Sequence, residues 1–145
     1  MDPITFTRTD GSTFSLTPRM PRSYAVRNDL LSAYNDASTR GDAARVNRVL
    51  AATIGVCVQG RCPPSEEGVD AAPVMPSYDM LNAEVMRYGG RVIETLMGEW
   101  DVVPTAEMYR TAIRWTVALS ESMPRLKIVE EVTNFTSANE GLGTS

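Results

Sequence analysis

The sequence predicts a mainly α fold: an N-terminal β-hairpin, about four helices in two antiparallel helical hairpins, and an extended C-terminal tail. Three observations predict it. Apolar residues recur at three- and four-residue steps along four stretches, the spacing of one helix face. Alternation of apolar and polar residues about Asp10-Gly11 marks a hairpin near the start. From Thr133 to Ser145 the chain is polar, small and unpatterned, with Phe135 as a single aromatic anchor.

Residues 4–17 read I-T-F-T-R-T-D-G-S-T-F-S-L-T. Ile4, Phe6, Phe14 and Leu16 share one face of the expected hairpin, because side chains alternate along a strand. Gly11 suits the positive φ of a type I′ turn. A lone hairpin is marginal in water, so its apolar face must pack on helices or on another chain.

Ser23 is placed to cap a first helix over Tyr24–Ala37, with Val26, Leu30, Ala33, Tyr34 and Ala37 as its stripe. Ser38–Asp42 breaks it. Asp42 then caps a second helix reaching about Val58, with Val46, Val49, Leu50, Thr53, Ile54 and Cys57 inward. Residues 59–76 form a long loop holding Pro63, Pro64, Pro73 and Pro76. Loops of this length in small domains tend to carry function.

A third helix is expected from a Ser77 cap, with Asp79 in its first turn and Leu81, Val85, Tyr88, Val92 and Leu96 on one face. Gly89-Gly90 falls inside it, at a cost of about 1.5–2 kcal/mol relative to alanines. Either another backbone approaches there or the helix bends. W-D-V-V-P-T at 100–105 is a short breaker. Thr105 caps a fourth helix carrying Met108, Ala112, Trp115 and Leu119, and Pro124 stops it. Short connections favour antiparallel neighbours, so helices three and four should pack together. Arg125–Val132 offers one more helical segment. One domain over 1–132 with a tail over 133–145 is the expected organisation; two half-domains joined by the 59–76 connector is the alternative.

The chain has 145 residues, 43% hydrophobic and 22% charged, enough for a core without staples. The net charge of −4 and pI near 4.8 argue against non-specific nucleic-acid binding, which requires clustered cations. Lys127 is the only lysine; the other thirteen cations are arginines. Histidine is absent, which removes the commonest general base and metal ligand. No apolar run long enough for a membrane span occurs, and the opening M-D-P-I-T-F-T-R lacks signal-peptide order. A soluble intracellular protein is expected.

Chemical motifs are sparse. Cys57 and Cys62 are spaced C-x4-C, but zinc requires four ligands. They are read as free thiols in a reducing compartment, with a small-loop disulfide as the alternative in an extracellular particle. Glu66, Glu67 and Asp70 lack calcium-loop spacing and read as a solvated charge run. Glu94, Glu99 and Asp101 read as helix surface and cap. Phosphate-binding glycine loops are missing. No catalytic, cofactor-binding or metal-binding residue is therefore expected. Aromatic residues are the usual interface anchors. Trp115 lies on a stripe and belongs to the core; Phe6, Phe14, Trp100 and Phe135 are the candidate partner-binding residues. The Pro-rich loop and the tail are expected to add contacts.

The stretch T-F-T-R-T-D-G-S-T-F-S-L-T-P, the pattern L-N-A-E-V-M-R-Y-G-G-R-V-I-E-T-L and the ending E-E-V-T-N-F-T-S-A-N-E-G carry a resemblance. In order of parts the chain resembles tail assembly chaperones of long-tailed bacteriophages, small acidic proteins that coat the tape-measure protein before the tube polymerises. The wording matches over Thr5–Pro18 and Glu130–Gly141. The long 59–76 loop departs from the family's pattern. The resemblance implies a non-enzymatic protein that binds other phage tail or virion proteins in the host cytoplasm, with a homo-oligomer open. A structural protein of the tail, neck or baseplate, resident in the virion, is the first alternative. A cellular helical adaptor or regulator is the second.

Overall fold

A computed structural model of the chain describes residues 1–64, 71–73 and 81–123. The expected mainly α class holds: an N-terminal strand pair precedes four helices. The elements run β1 (Ile4–Arg8), β2 (Thr13–Leu16), α1 (Tyr24–Arg40), α2 (Ala43–Cys57), α3 (Asn82–Glu94), a π-helical turn (Thr95–Glu99), β3 (Val102–Val103) and α4 (Ala106–Glu121).

The hairpin pairs Ile4 with Leu16 and Phe6 with Phe14, which puts all four apolar side chains on the buried face. Its turn differs from the expected two-residue type I′ form. Gly11 alone has positive φ, at 85°. Gly11 N–H donates to Arg8 O at 2.9 Å and Arg8 N–H to Ser12 O at 2.8 Å. This is a three-residue loop, a tight turn closed by a glycine bulge. Asp10 decides it: its carboxylate accepts from the Ser12 amide and hydroxyl, at 2.8 and 2.6 Å, and holds the local turn. Those bonds keep the Asp10 carboxyl below its ordinary range.

The helix starts follow local chemistry. Ser23, Asp42 and Thr105 cap α1, α2 and α4, each accepting an amide three residues on, from Val26, Arg45 and Met108. Gly41, at φ 67°, ends α1 in the left-handed conformation, and helix α2 begins two residues later. In α3 the expected cap, Ser77, and Asp79 lie outside the described residues. The described helix begins at Asn82. Leu81 is its cap residue and is 71% exposed, so it does not belong to the core stripe, which starts at Val85.

The packing order departs from two helical hairpins in one respect. Helix α1 packs on α2, but α3 and α4 make no contact with each other; α2 runs between them and touches all three other helices. Every residue from Val49 to Cys57 is buried. A helix apolar all round belongs in the middle of a core. The breaker between α3 and α4 is not a tight turn. It holds β3, which pairs antiparallel with β1 through Thr7–Val103 and Arg8–Val102 and extends the sheet to the order β2-β1-β3. The chain therefore travels to the sheet edge before α4 begins.

Two devices make that detour. The π-helical turn closes with Trp100 N–H donating to Thr95 O at 3.0 Å, a widened turn that ends the helix. Asp101 then takes a positive φ of 56°, which Asp tolerates better than most residues. Its carboxylate accepts from Thr9 Oγ1, and its carbonyl from the Thr9 amide at 3.0 Å. Sheet and helices share one hydrophobic core. The Trp115 indole Nε1 donates to Asp2 O at 2.9 Å and ties the N-terminus to α4.

Gly89-Gly90 resolves into two different positions. A Cβ at Gly89 would lie 2.0 Å from Arg48 O and 2.8 Å from its carbonyl carbon, whereas one at Gly90 would meet only the Arg48 side chain at 3.9 Å. Gly55 answers from α2, where a Cβ would sit 2.3 Å from Val92 Cγ2. Helices α2 and α3 thus approach backbone to side chain through glycines on both sides.

Candidate protein-binding groove

Three of the four aromatic residues expected to bind a partner are core residues instead. Phe6 is fully buried, Trp100 is 1% exposed and Phe14 8%. Phe6 and Phe14 pack with ring centroids 5.1 Å apart, and Trp100 meets both edge-on at 6.0 and 6.1 Å. The hairpin's apolar face needed a cover, and Trp100, delivered by the π-helical turn, provides it. Arg8 lays its guanidinium 4.4 Å over the Phe14 ring and closes the cluster from outside. Phe135, the fourth, lies outside the described residues, as do Glu66, Glu67 and Asp70.

Cys57 and Cys62 form no disulfide. Cys57 is in the core, where burial pushes its thiol up to about 12. Cys62 is exposed. Only the thiolate reacts, so dithionitrobenzoate at neutral pH should modify one thiol per folded chain and two after unfolding. Two fast equivalents in the folded protein would contradict the burial of Cys57.

The three carboxylates considered together in the sequence separate. Glu94 and Glu99 line an open cleft of about 340 Å³ with Ala71, Pro73, Arg91 and Thr95, while Asp101 bonds Thr9 at the sheet. Tyr88 Oη donates to Pro73 O at 2.8 Å and pins this part of the long loop; burial raises the Tyr88 phenol. Ala72 N–H donates to Arg61 O at 3.0 Å, a second tether. Among the described residues, no three His, Cys, Asp or Glu side chains gather as a metal would require.

A second cavity, of about 240 Å³, lies between α1 and α4 and is more apolar in character. Helix α1 supplies Leu31, Tyr34 and Asn35, and α4 supplies Thr116, Val117 and Ser120. The reason is helical spacing. The buried stripe of α1 is Val26, Leu30, Ala33 and Ala37, so Leu31 and Tyr34 fall beside it, half-buried. The buried stripe of α4 runs through Met108, Ala112, Trp115 and Leu119, and Val117, in the groove wall, lies on the side of α4 away from it, 53% exposed. The groove is held at one end by Arg27, whose Nη1 donates to Ser122 Oγ at 2.9 Å and Ser122 O at 3.4 Å. Arg110 and Arg114 lie on the far edge of α4, bonding Glu107 at 3.2 and 3.4 Å and holding its carboxyl below the ordinary range.

The sequence reading missed this groove because it assigned the α4 stripe to contact with α3. Val117 was the available signal: a β-branched residue on the side of α4 away from its main stripe. No described helix is long and apolar enough to cross a membrane. Comparison with family models, with curated proteins and with solved structures gives no match.

Proposed function

We propose that the chain is a non-enzymatic bacteriophage tail assembly protein that holds a helical segment of another tail protein in the α1/α4 groove. The observation that supports this reading is the groove itself: an open channel between two helices, where Leu31, Tyr34 and Val117 lie among Asn35, Thr116 and Ser120, and Val117 is 53% exposed in one wall. Such channels accept the apolar face of an amphipathic helix. The choice of partner rests on the resemblance of Thr5–Pro18 and Glu130–Gly141 to tail assembly chaperones. On this reading the protein works in the host cytoplasm while tails are built.

The test is affinity capture of the tagged chain from phage-infected host cells, with the captured proteins identified by mass spectrometry. Wild type should retain the tape-measure protein, and Val117→Asp should retain about tenfold less, the loss expected when one valine contact is removed. Purified particles should lack the chain. Its presence in particles would make it a structural component, and failure to capture any tail protein would overturn the assignment.

A further inference from the structure

We propose that the outer edge of β2 is a self-association surface. On it, β2 of a second copy of this chain pairs antiparallel and joins the two three-stranded sheets edge to edge.

In an antiparallel ladder, residues that exchange backbone hydrogen bonds alternate with residues whose backbone groups point outward. Arg8 N–H donates to Ser12 O, so Arg8–Ser12 is a bonded pair, and Phe6–Phe14 and Ile4–Leu16 follow it in phase. Thr13 and Ser15 fall between these pairs, and their N–H and C=O groups point away from β1. Thr9 fits the same phase, because its N–H donates to Asp101 O on the opposite edge of β1. Among the described strands and helices, β1 alone lies against β2, and the sheet order leaves β2 at an edge.

The two edges of the sheet differ. Short strands, prolines and charges are the usual protection of an edge against pairing. β3 is two residues long, with Asp101 before it and Pro104 after it. The stretch T-F-S-L-T at 13–17 carries no charge and no proline. Its apolar face is also incompletely covered. Phe14 and Leu16 keep 8% and 7% exposure, whereas Ile4 and Phe6 on the central strand keep none.

Charge selects a second copy as the occupant. Antiparallel pairing of Thr13 in each copy with Ser15 in the other puts Phe14 against Phe14 at the two-fold axis. Each of the two Thr13–Ser15 pairs exchanges both of its backbone hydrogen bonds. The turn of each copy then lies beside the end of the other copy's strand, so Asp10 meets Arg19 at both ends of the contact. Asp10 and Arg19 are both exposed. Parallel pairing would set Asp10 beside Asp10 and Arg19 beside Arg19. A strand pair this short buries less than the roughly 1,200 Å² of a standard stable interface, so the dimer should exchange with monomer at micromolar concentrations.

Sedimentation velocity of the full chain tests this. Between about 1 µM and about 500 µM, wild type should pass from 15.9 kDa toward twice that mass. Ser15→Pro removes an outward amide that β1 does not use, so it should weaken association about tenfold and unfold at close to the wild-type temperature. Arg19→Glu sets like charges at both ends of the contact and should also weaken it, while the Arg19 backbone bond to Cys57 O is retained. A wild type that stays monomeric throughout would overturn the proposal. So would a dimer that both variants leave intact, or one that Val117→Asp abolishes, since that would place the contact in the α1/α4 groove. None of these results depends on whether a tail protein is ever captured.

Discussion

Gly89→Ala should lower the stability of this protein by about 3 kcal/mol, a fall in melting temperature of roughly 10 °C for a domain of this size. The new methyl would sit 2.0 Å from the Arg48 carbonyl oxygen, which is backbone inside α2 and cannot swing aside. Either α3 must move off α2 or both helices must bend, and α2 is the helix on which the other three pack. Alanine's better helix propensity returns only about 1 kcal/mol. Gly90→Ala is the matched control. Its methyl meets nothing nearer than the Arg48 guanidinium at 3.9 Å, so it should keep the propensity gain and raise stability by about 0.5–1 kcal/mol. Thermal denaturation by circular dichroism reads both. If the two variants shift in the same direction, the close approach of α2 and α3 at Gly89 is wrong.

Trp100→Ala should cost about 3–5 kcal/mol, the range for removing a large aromatic from a core. Trp100 is 1% exposed and touches both Phe6 and Phe14, so its loss opens a cavity where sheet meets helices. Denaturant unfolding should show a reduced midpoint with an unchanged slope, and Trp100→Phe should recover part of the loss. An interface residue would behave differently: the variant would melt like wild type and lose only a partner. Wild-type stability in Trp100→Ala would therefore restore Trp100 as a binding residue.

Local signals in the sequence located most elements because each rests on neighbouring residues. Ser23, Asp42 and Thr105 cap helices through bonds to amides three residues away, and Gly41 ends one through its own φ. The alternation of residues 4–16 set the strand register. Boundaries shifted where a neighbour's side chain intervened. Asp10 bonded Ser12 and lengthened the hairpin turn, and α3 is described only from Asn82.

The neighbours of each element were less legible. Ala51, Ala52 and Gly55 in α2 are small and nearly silent in a periodicity count, yet all three are buried, and Gly55 admits Val92 and Tyr88 of α3. Short loops suggested that α3 would pack on α4. The eleven residues between them hold the π-helical turn, a buried tryptophan and β3, because pairing with β1 satisfies backbone groups and Trp100 covers Phe6 and Phe14. That exchange moved Phe6, Phe14 and Trp100 from interface to core and left the outer side of α4 open beside α1.

The sequence by itself determined the class of the fold, most of the caps and the hairpin's buried face, and marked Gly89-Gly90 as a close approach or a bend. All of these depend on residues a few positions apart. Only the tertiary structure decided that α2 is the central helix, that the sheet has a third strand, and that an open groove lies between α1 and α4. Those outcomes depend on which distant surfaces exclude water together, and burial is non-directional, so no local pattern encodes it.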